Sequence, residues 1–295
     1  MRLIGAIRKR NANRNRRIVV GLLLCAAVGF QCQDARPRAS YGGGDQISIE
    51  VLSSAALASA SLDDMENFAR RDPLGFLKEC RDHYNTTIRD YRCTFVKQER
   101  IGDRLTPEEW TDVRFRENPY SVDMKWVRNP GLAARALYVQ GKWKNGDEEL
   151  AWVRPSGALV SWMKLQQPIN GALAKKSARR TIDQFGFRNS LDLIIHFSEK
   201  AKQAGSLELD YVGRGQVEGR PTFVFDRRLP YTGEDEPYPD RLLRIHIDRE
   251  WLVPTCCLSY ADDDANELLG KYVLKDVDMN PGYGDSDFDP DTIGF

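Results

Sequence analysis

Tyr120-Ser121-Val122-Asp123-Met124-Lys125-Trp126-Val127 is the stretch that decides the fold. A strand sends successive side chains to opposite faces, so Tyr120, Val122, Met124 and Trp126 share one face and Ser121, Asp123 and Lys125 the other. Working outward, 207–211, 222–227, 242–248 and 268–275 alternate in the same way. Asn118-Pro119, Asn129-Pro130-Gly131, Asn145-Gly146, Pro155-Ser156-Gly157 and Glu218-Gly219 punctuate these runs as turns. Between 91 and 277 the pattern predicts about eleven strands, interrupted once by a helical segment. The connections are too short for parallel crossovers, which makes neighbouring strands antiparallel.

Helical spacing precedes the strands. Residues 62–85 predict a helix that breaks at Asp72-Pro73, where Asp can cap and Pro can take the first helical position. Leu74, Leu77, Cys80, Arg81 and Tyr84 then follow helical spacing, with Phe76 also available, and give one apolar stripe fit to lie on a sheet. Asn189 is the expected cap of a second helix, with Leu191, Leu193, Ile194 and Phe197 apolar and Lys200 and Lys202 toward its C-terminal end. Two helices against a large antiparallel sheet make an α+β domain.

Before Ile18 the chain carries seven basic residues and no acid, and 18–30 is an uninterrupted apolar run. Thirteen residues are short for a spanning helix, so 1–35 is read as a secretory signal peptide, 36–61 as a flexible lead-in rich in Gly, Ser and Ala, and 62–295 as one domain. Phe30-Gln31 before Cys32 disfavours lipid attachment there. The expected location is periplasmic or otherwise extracytoplasmic. The whole chain balances 43 basic against 43 acidic residues, and without 1–35 the balance becomes 36 against 42. A mildly acidic mature chain argues against a nucleic-acid partner.

No chemical motif converges. His83, His196 and His246 are the only histidines, and none has a second histidine at zinc-ligand spacing. Gly-x-Ser-x-Gly is absent. The repeat Asp285, Asp287, Asp289, Asp291 has Pro290 where a calcium loop needs Gly, and Asp262-Asp263-Asp264 reads as a solvated hairpin tip, as Glu234-Asp235-Glu236 reads as a charged loop. Neither an enzyme nor a metal or other cofactor is expected. Cys80, Cys93, Cys256 and Cys257 allow a bridge from Cys93 to Cys80 or to one of the adjacent pair, or four small buried residues; spacing selects neither.

Several ordered motifs carry a family resemblance. Tyr91-Arg92-Cys93-Thr94-Phe95-Val96-Lys97-Gln98-Glu99-Arg100-Ile101 resembles the opening motif of the bacterial domain-of-unknown-function family 1571. Asn118-Pro119-Tyr120-Ser121-Val122 with Met124-Lys125-Trp126, and Arg180-Thr181-Ile182-Asp183-Gln184-Phe185-Gly186 leading into Asn189, are similar to its later motifs, as is the tail through Asp287-Phe288. The resemblance covers roughly residues 65 to 290. More distantly, the architecture is similar to periplasmic lipoprotein carriers of the LolA/LolB type and to envelope-stress regulators that share their fold.

That resemblance implies a strongly curved sheet, an incomplete β-barrel lidded by helices, whose concave face can hold acyl chains. The lining residues it implies are Phe95, Val113, Phe115, Val122, Met124, Trp126, Tyr138, Trp152 and Trp162. Lys175, Lys176, Arg179 and Arg180 form the densest basic cluster of the mature chain and are expected to meet an anionic headgroup or an acidic partner. The expected function is therefore a non-enzymatic exported envelope protein binding a lipid or a lipidated protein, with peripheral membrane contact. Its rival is an envelope protein-interaction module with a packed core and no small-molecule ligand.

Overall fold

The computed structural model describes residues 60–295 except 158, 161 and 234–236. The expected leader over 1–35, all but the last two residues of the lead-in over 36–61, and the charged loop Glu234-Asp235-Glu236 lie outside the described residues.

Thirteen antiparallel strands form one open sheet. In chain order they are β1 (Asp90–Ile101), β2 (Arg104–Leu105), β3 (Glu109–Arg116), β4 (Ser121–Arg128), β5 (Ala133–Val139), β6 (Lys144–Asn145), β7 (Glu148–Pro155), β8 (Leu165–Pro168), β9 (Glu208–Val217), β10 (Arg220–Arg228), β11 (Leu242–Asp248), β12 (Pro254–Tyr260) and β13 (Leu268–Met279). β2 and β6 are two-residue pieces, which is why alternation alone finds about eleven strands. The main path runs β6-β7-β5-β4-β3-β1-β13-β12-β11-β10-β9, with β8 on β7 and β2 on β1. The first and last long strands thus meet in the middle, pairing from Tyr91 with Met279 to Glu99 with Gly270. Because β8 lies by one edge and β9 forms the other, the chain from 169 to 207 has to cross the sheet.

The helices are α1 (Leu62–Arg71), α2 (Pro73–Thr87), α3 (Ala172–Ser177) and α4 (Phe187–Gln203). Ser61 caps α1 by accepting from the Asp64 backbone N–H at 3.2 Å, and Asp72 caps α2 by accepting from that of Gly75 at 2.9 Å. The break expected at Asp72-Pro73 is therefore present. The second helix starts earlier than expected: its N-cap is Gly186, and Asn189 sits inside the first turn, donating to the carbonyls of Asp183 and Phe185. Gly186 has φ +114°, and a Cβ there would stand 3.1 Å from the Tyr91 hydroxyl and 3.3 Å from the Phe115 ring. Close approach of the turn to those two aromatics, together with the left-handed backbone, requires the glycine.

On the concave face α1, α2 and α4 bury Phe68, Phe76, Leu77, Leu191 and Ile195 against Phe223, Phe225, Ile245 and Ile247. Phe76 meets Phe223 edge-on at 5.4 Å and Phe225 at 5.5 Å. A second cluster joins Tyr84, Tyr91, Phe115, Tyr120 and Phe187, with Tyr91 stacked on Phe115 at 4.7 Å. Arg227 is buried between sheet and helix, donating to the Ile194 carbonyl at 3.1 Å and to Asp240 at 2.9 Å. The alternation in β4 holds, yet its second face is also covered. Asp123 is 4% exposed, held by Arg114 at 2.6 Å and Arg135 at 2.8 Å. The C-terminal segment lies over it, burying Phe288 and Phe295 against Leu137 and Val139 and placing Phe295 beneath Arg135.

All four described cysteines are free thiols, so the bridge entertained for Cys93 does not form. As expected for neighbours in a strand, Cys256 packs with Val96 and Val273, while Cys257 turns toward the helix side.

Removing one member of the Arg227–Asp240 pair leaves a buried charge alone. Arg227→Met is expected to lower unfolding free energy by about 3–5 kcal/mol in urea melts, and the double variant Arg227→Met/Asp240→Leu by clearly less. At the sheet edge, Glu66 of α1 accepts from Arg214 and Tyr211 at 2.6 Å, and the Arg214 bond, then the Tyr211 bond, hold its carboxyl down to about 2. Its contribution is complete above the ordinary value of 4.5 and is lost as pH falls toward about 2. Urea midpoints measured across that window should fall less steeply in Glu66→Gln than in the parent protein.

Candidate functional site

Between the concave face and the crossing segment lies a cavity of about 730 Å³. Its floor is built by alternation: Phe95 from β1, Thr111 from β3, Met124 and Trp126 from β4, Ala136 from β5, Ala151 and Val153 from β7, and Leu274 from β13. Met124 and Ala136 are direct cross-strand partners, and the small side chains of Ala136 and Ala151 leave the space open. The roof is the crossing chain, contributing Ile169, Leu173, Ile182 and Phe185 and then Leu193 and Ile194 of α4. Leu132 and Leu173 line the cavity while each remains 60% exposed, and so mark its mouth.

One end of the cavity is ionic. Residues 95, 97 and 99 alternate onto one face of β1, which brings Lys97 and Glu99 into the cavity behind Phe95. Lys97 Nζ stands 3.2 Å from Glu99 and 3.6 Å from Glu109. Glu99 also accepts from the Tyr272 hydroxyl at 2.8 Å and from the Arg179 backbone N–H at 3.2 Å, and Glu109 accepts from Trp126 Nε1 at 2.8 Å. Burial, then the Glu99 charge, pushes the Tyr272 hydroxyl well above its ordinary pKa, so it remains a proton donor to that carboxylate. The Arg227–Asp240 pair closes the same end.

Of the nine residues expected to line a ligand site, Phe95, Met124 and Trp126 do so. Val113, Phe115 and Val122 are buried in the aromatic cluster beneath the start of α4. Tyr138 bonds to Glu149 and lines a second, polar pocket of about 440 Å³ with Glu117, Asp183 and Arg188. Trp152 points to the other face, edge-on to Trp143 at 6.4 Å and against the C-terminal cluster. That follows from the alternation in β7, where its neighbours Ala151 and Val153 take the cavity side. Trp162 is 75% exposed in the loop between β7 and β8. The basic cluster divides: Lys175 and Lys176 are exposed on α3, whereas Arg179 and Arg180 line the cavity.

The ionic pairing of Lys97 with Glu99 and Glu109 was readable in part, since Lys97 and Glu99 are two apart in a strand; Glu109 and Tyr272 come from other strands and carry no local signal. None of the three histidines lines the cavity, and His246 shares a 3.1 Å hydrogen bond with Thr222. Among the described residues no group of three or more His, Cys, Asp or Glu is placed to hold a metal ion, and no helix is long and apolar enough to cross a membrane.

No curated protein matches this chain. Among solved structures it is similar to a DUF1329 family protein from Desulfovibrio piger, at 11% identity and a TM-score of 0.37 over 73% of this chain and 95% of that one. It is also similar to the MucA/MucB complex of Pseudomonas aeruginosa, at 18% identity and a TM-score of 0.38 over 74% of this chain and 60% of that one. A third is the Mycobacterium tuberculosis lipoprotein LppX, at 10% identity and a TM-score of 0.36 over 72% of this chain and 98% of that one. The model of the family described as protein of unknown function (DUF1571) matches residues 88–293, most of the length, and the chain belongs to that family.

Proposed function

We propose that this is an exported, non-enzymatic envelope protein, with a leader over 1–35 and one half-barrel domain over 62–295, that holds a lipid or the acyl part of a lipidated protein in its concave cavity. The observation that carries this reading is the cavity itself, about 730 Å³ of mostly apolar space that the protein's own side chains leave unfilled. Its size falls among small-molecule sites of roughly 300–1,000 Å³. An alkyl chain entering it removes apolar surface from water, worth roughly 25 cal/mol per Å². The rival reading, an envelope protein-interaction module with a packed core and no small-molecule ligand, suits the half of the sheet under α1, α2 and α4 and not the half under the crossing segment.

The ionic end supports a binding role. Glu99 and Glu109 are each engaged by fixed donors from Lys97, Tyr272 and Trp126, an arrangement that holds geometry rather than moving a proton. Peripheral membrane contact fits the same reading, because Leu132 and Leu173 stand exposed at the cavity mouth and Leu159 and Trp162 are exposed in the β7–β8 loop.

Ala136→Phe tests the proposal by filling the floor. Uptake of a fluorescent fatty acid should fall on the order of tenfold, which is about 1.4 kcal/mol, while the thermal midpoint holds or rises. A variant that keeps full uptake and melts lower, as overpacking by about 1–3 kcal/mol would cause, sinks the cavity reading. Native mass spectrometry of the purified protein should in addition show a stoichiometric lipid or acylated peptide.

A further inference from the structure

The charges that line the cavity do not balance. Lys97, Arg179, Arg180 and Arg227 face three carboxylates, Glu99, Glu109 and Asp240. All three carboxylates are already engaged, Glu99 and Glu109 by Lys97 and Asp240 by Arg227 at 2.9 Å. Arg179 spends Nη2 on the Pro239 carbonyl at 2.8 Å, and its Nη1 is buried with no acceptor. Arg180 makes no hydrogen bond and no ion pair among the described residues, and Asp240 and Glu99 act on it only at longer range. Burial, with the neighbouring Arg179 charge, draws its guanidinium pKa below the ordinary value. A guanidinium remains charged all the same, so the deficit is one of counter-charge.

Resting on the cavity reading above, we infer that the ligand is an anionic amphiphile whose carboxylate or phosphate is held by Arg179 and Arg180, with its alkyl chain against Phe95, Met124, Ala136 and Leu274. A guanidinium presents parallel N–H groups that match two oxygens of either anion. The pair sits between the roof and the ionic end, and every acid lining the cavity is occupied, so the missing acceptor comes from the ligand. Lys175 and Lys176, exposed on α3, take no part.

The test is a titration of the protein with three pyrene-labelled probes of equal chain length: an alkanoic acid, an alkyl phosphate and the alcohol. One or both anions should bind on the order of tenfold tighter than the alcohol, the value of one or two hydrogen bonds to a charged group. The tighter of the two anions identifies the headgroup. Arg180→Gln should cut the ratio of anion to alcohol affinity several-fold, and Arg180→Lys should restore part of that ratio, which a merely structural arginine would not do. If acid, phosphate and alcohol bind equally, the anion inference is overturned and the hydrophobic site stands. If none of the three binds, both fall.

Discussion

The buried guanidinium of Arg227 sits where the helix-packed cluster meets the cavity. It belongs to β10, beneath the helix-packed cluster, and it also lines the cavity. One of its nitrogens donates to the backbone of α4 and another to Asp240, just ahead of β11. Apolar contacts alone would let a helix slide over an aromatic surface, since dispersion and burial have little direction. A charged hydrogen bond to one backbone carbonyl fixes α4 in register. The position of α4 in turn sets that of Phe185 and Ile182, which lead into it and roof the cavity.

Topology explains why the cavity is left at all. With β1 paired to β13, the outer strands of the two half-sheets lie far apart, and the chain between β8 and β9 has to span the concave face. The part of that crossing that is long helix packs tightly. The part that carries only the short α3 and a 3-10 turn at Ile182–Gln184 has too few large side chains to meet the floor, and the floor answers with alanines. Curvature, crossing and small residues together hold apolar surface apart.

Strand and helix periodicity made the fold class legible, because alternation in β4 and the Asp72-Pro73 break are local properties of the chain. What resisted reading was pairing at a distance. Asp123 looks like a solvent-face residue in sequence; it is buried because Arg114 and Arg135, on the strands either side of β4, and the C-terminal phenylalanines from far along the chain converge on it. The same limit applies at the site. Phe95, Met124 and Trp126 follow from alternation, but an aromatic such as Phe115 has the same pattern and packs into the core, since only the crossing segment decides which part of the face stays open. Arg179 and Arg180 stood out as basic residues beside Lys175 and Lys176; the chain after α3 separates the pairs by turning one inward.

Of the four described thiols, three are buried and Cys257 is half-buried. Burial raises the pKa of Cys80, Cys93, Cys256 and Cys257, which favours the thiol over the more reactive thiolate at each. No crosslink holds the described chain together, and none needs an isomerase to form it. A reducing compartment therefore has no disulfide to remove from the described domain, whose register rests on strand pairing and on charged hydrogen bonds such as that of Arg227 to Asp240.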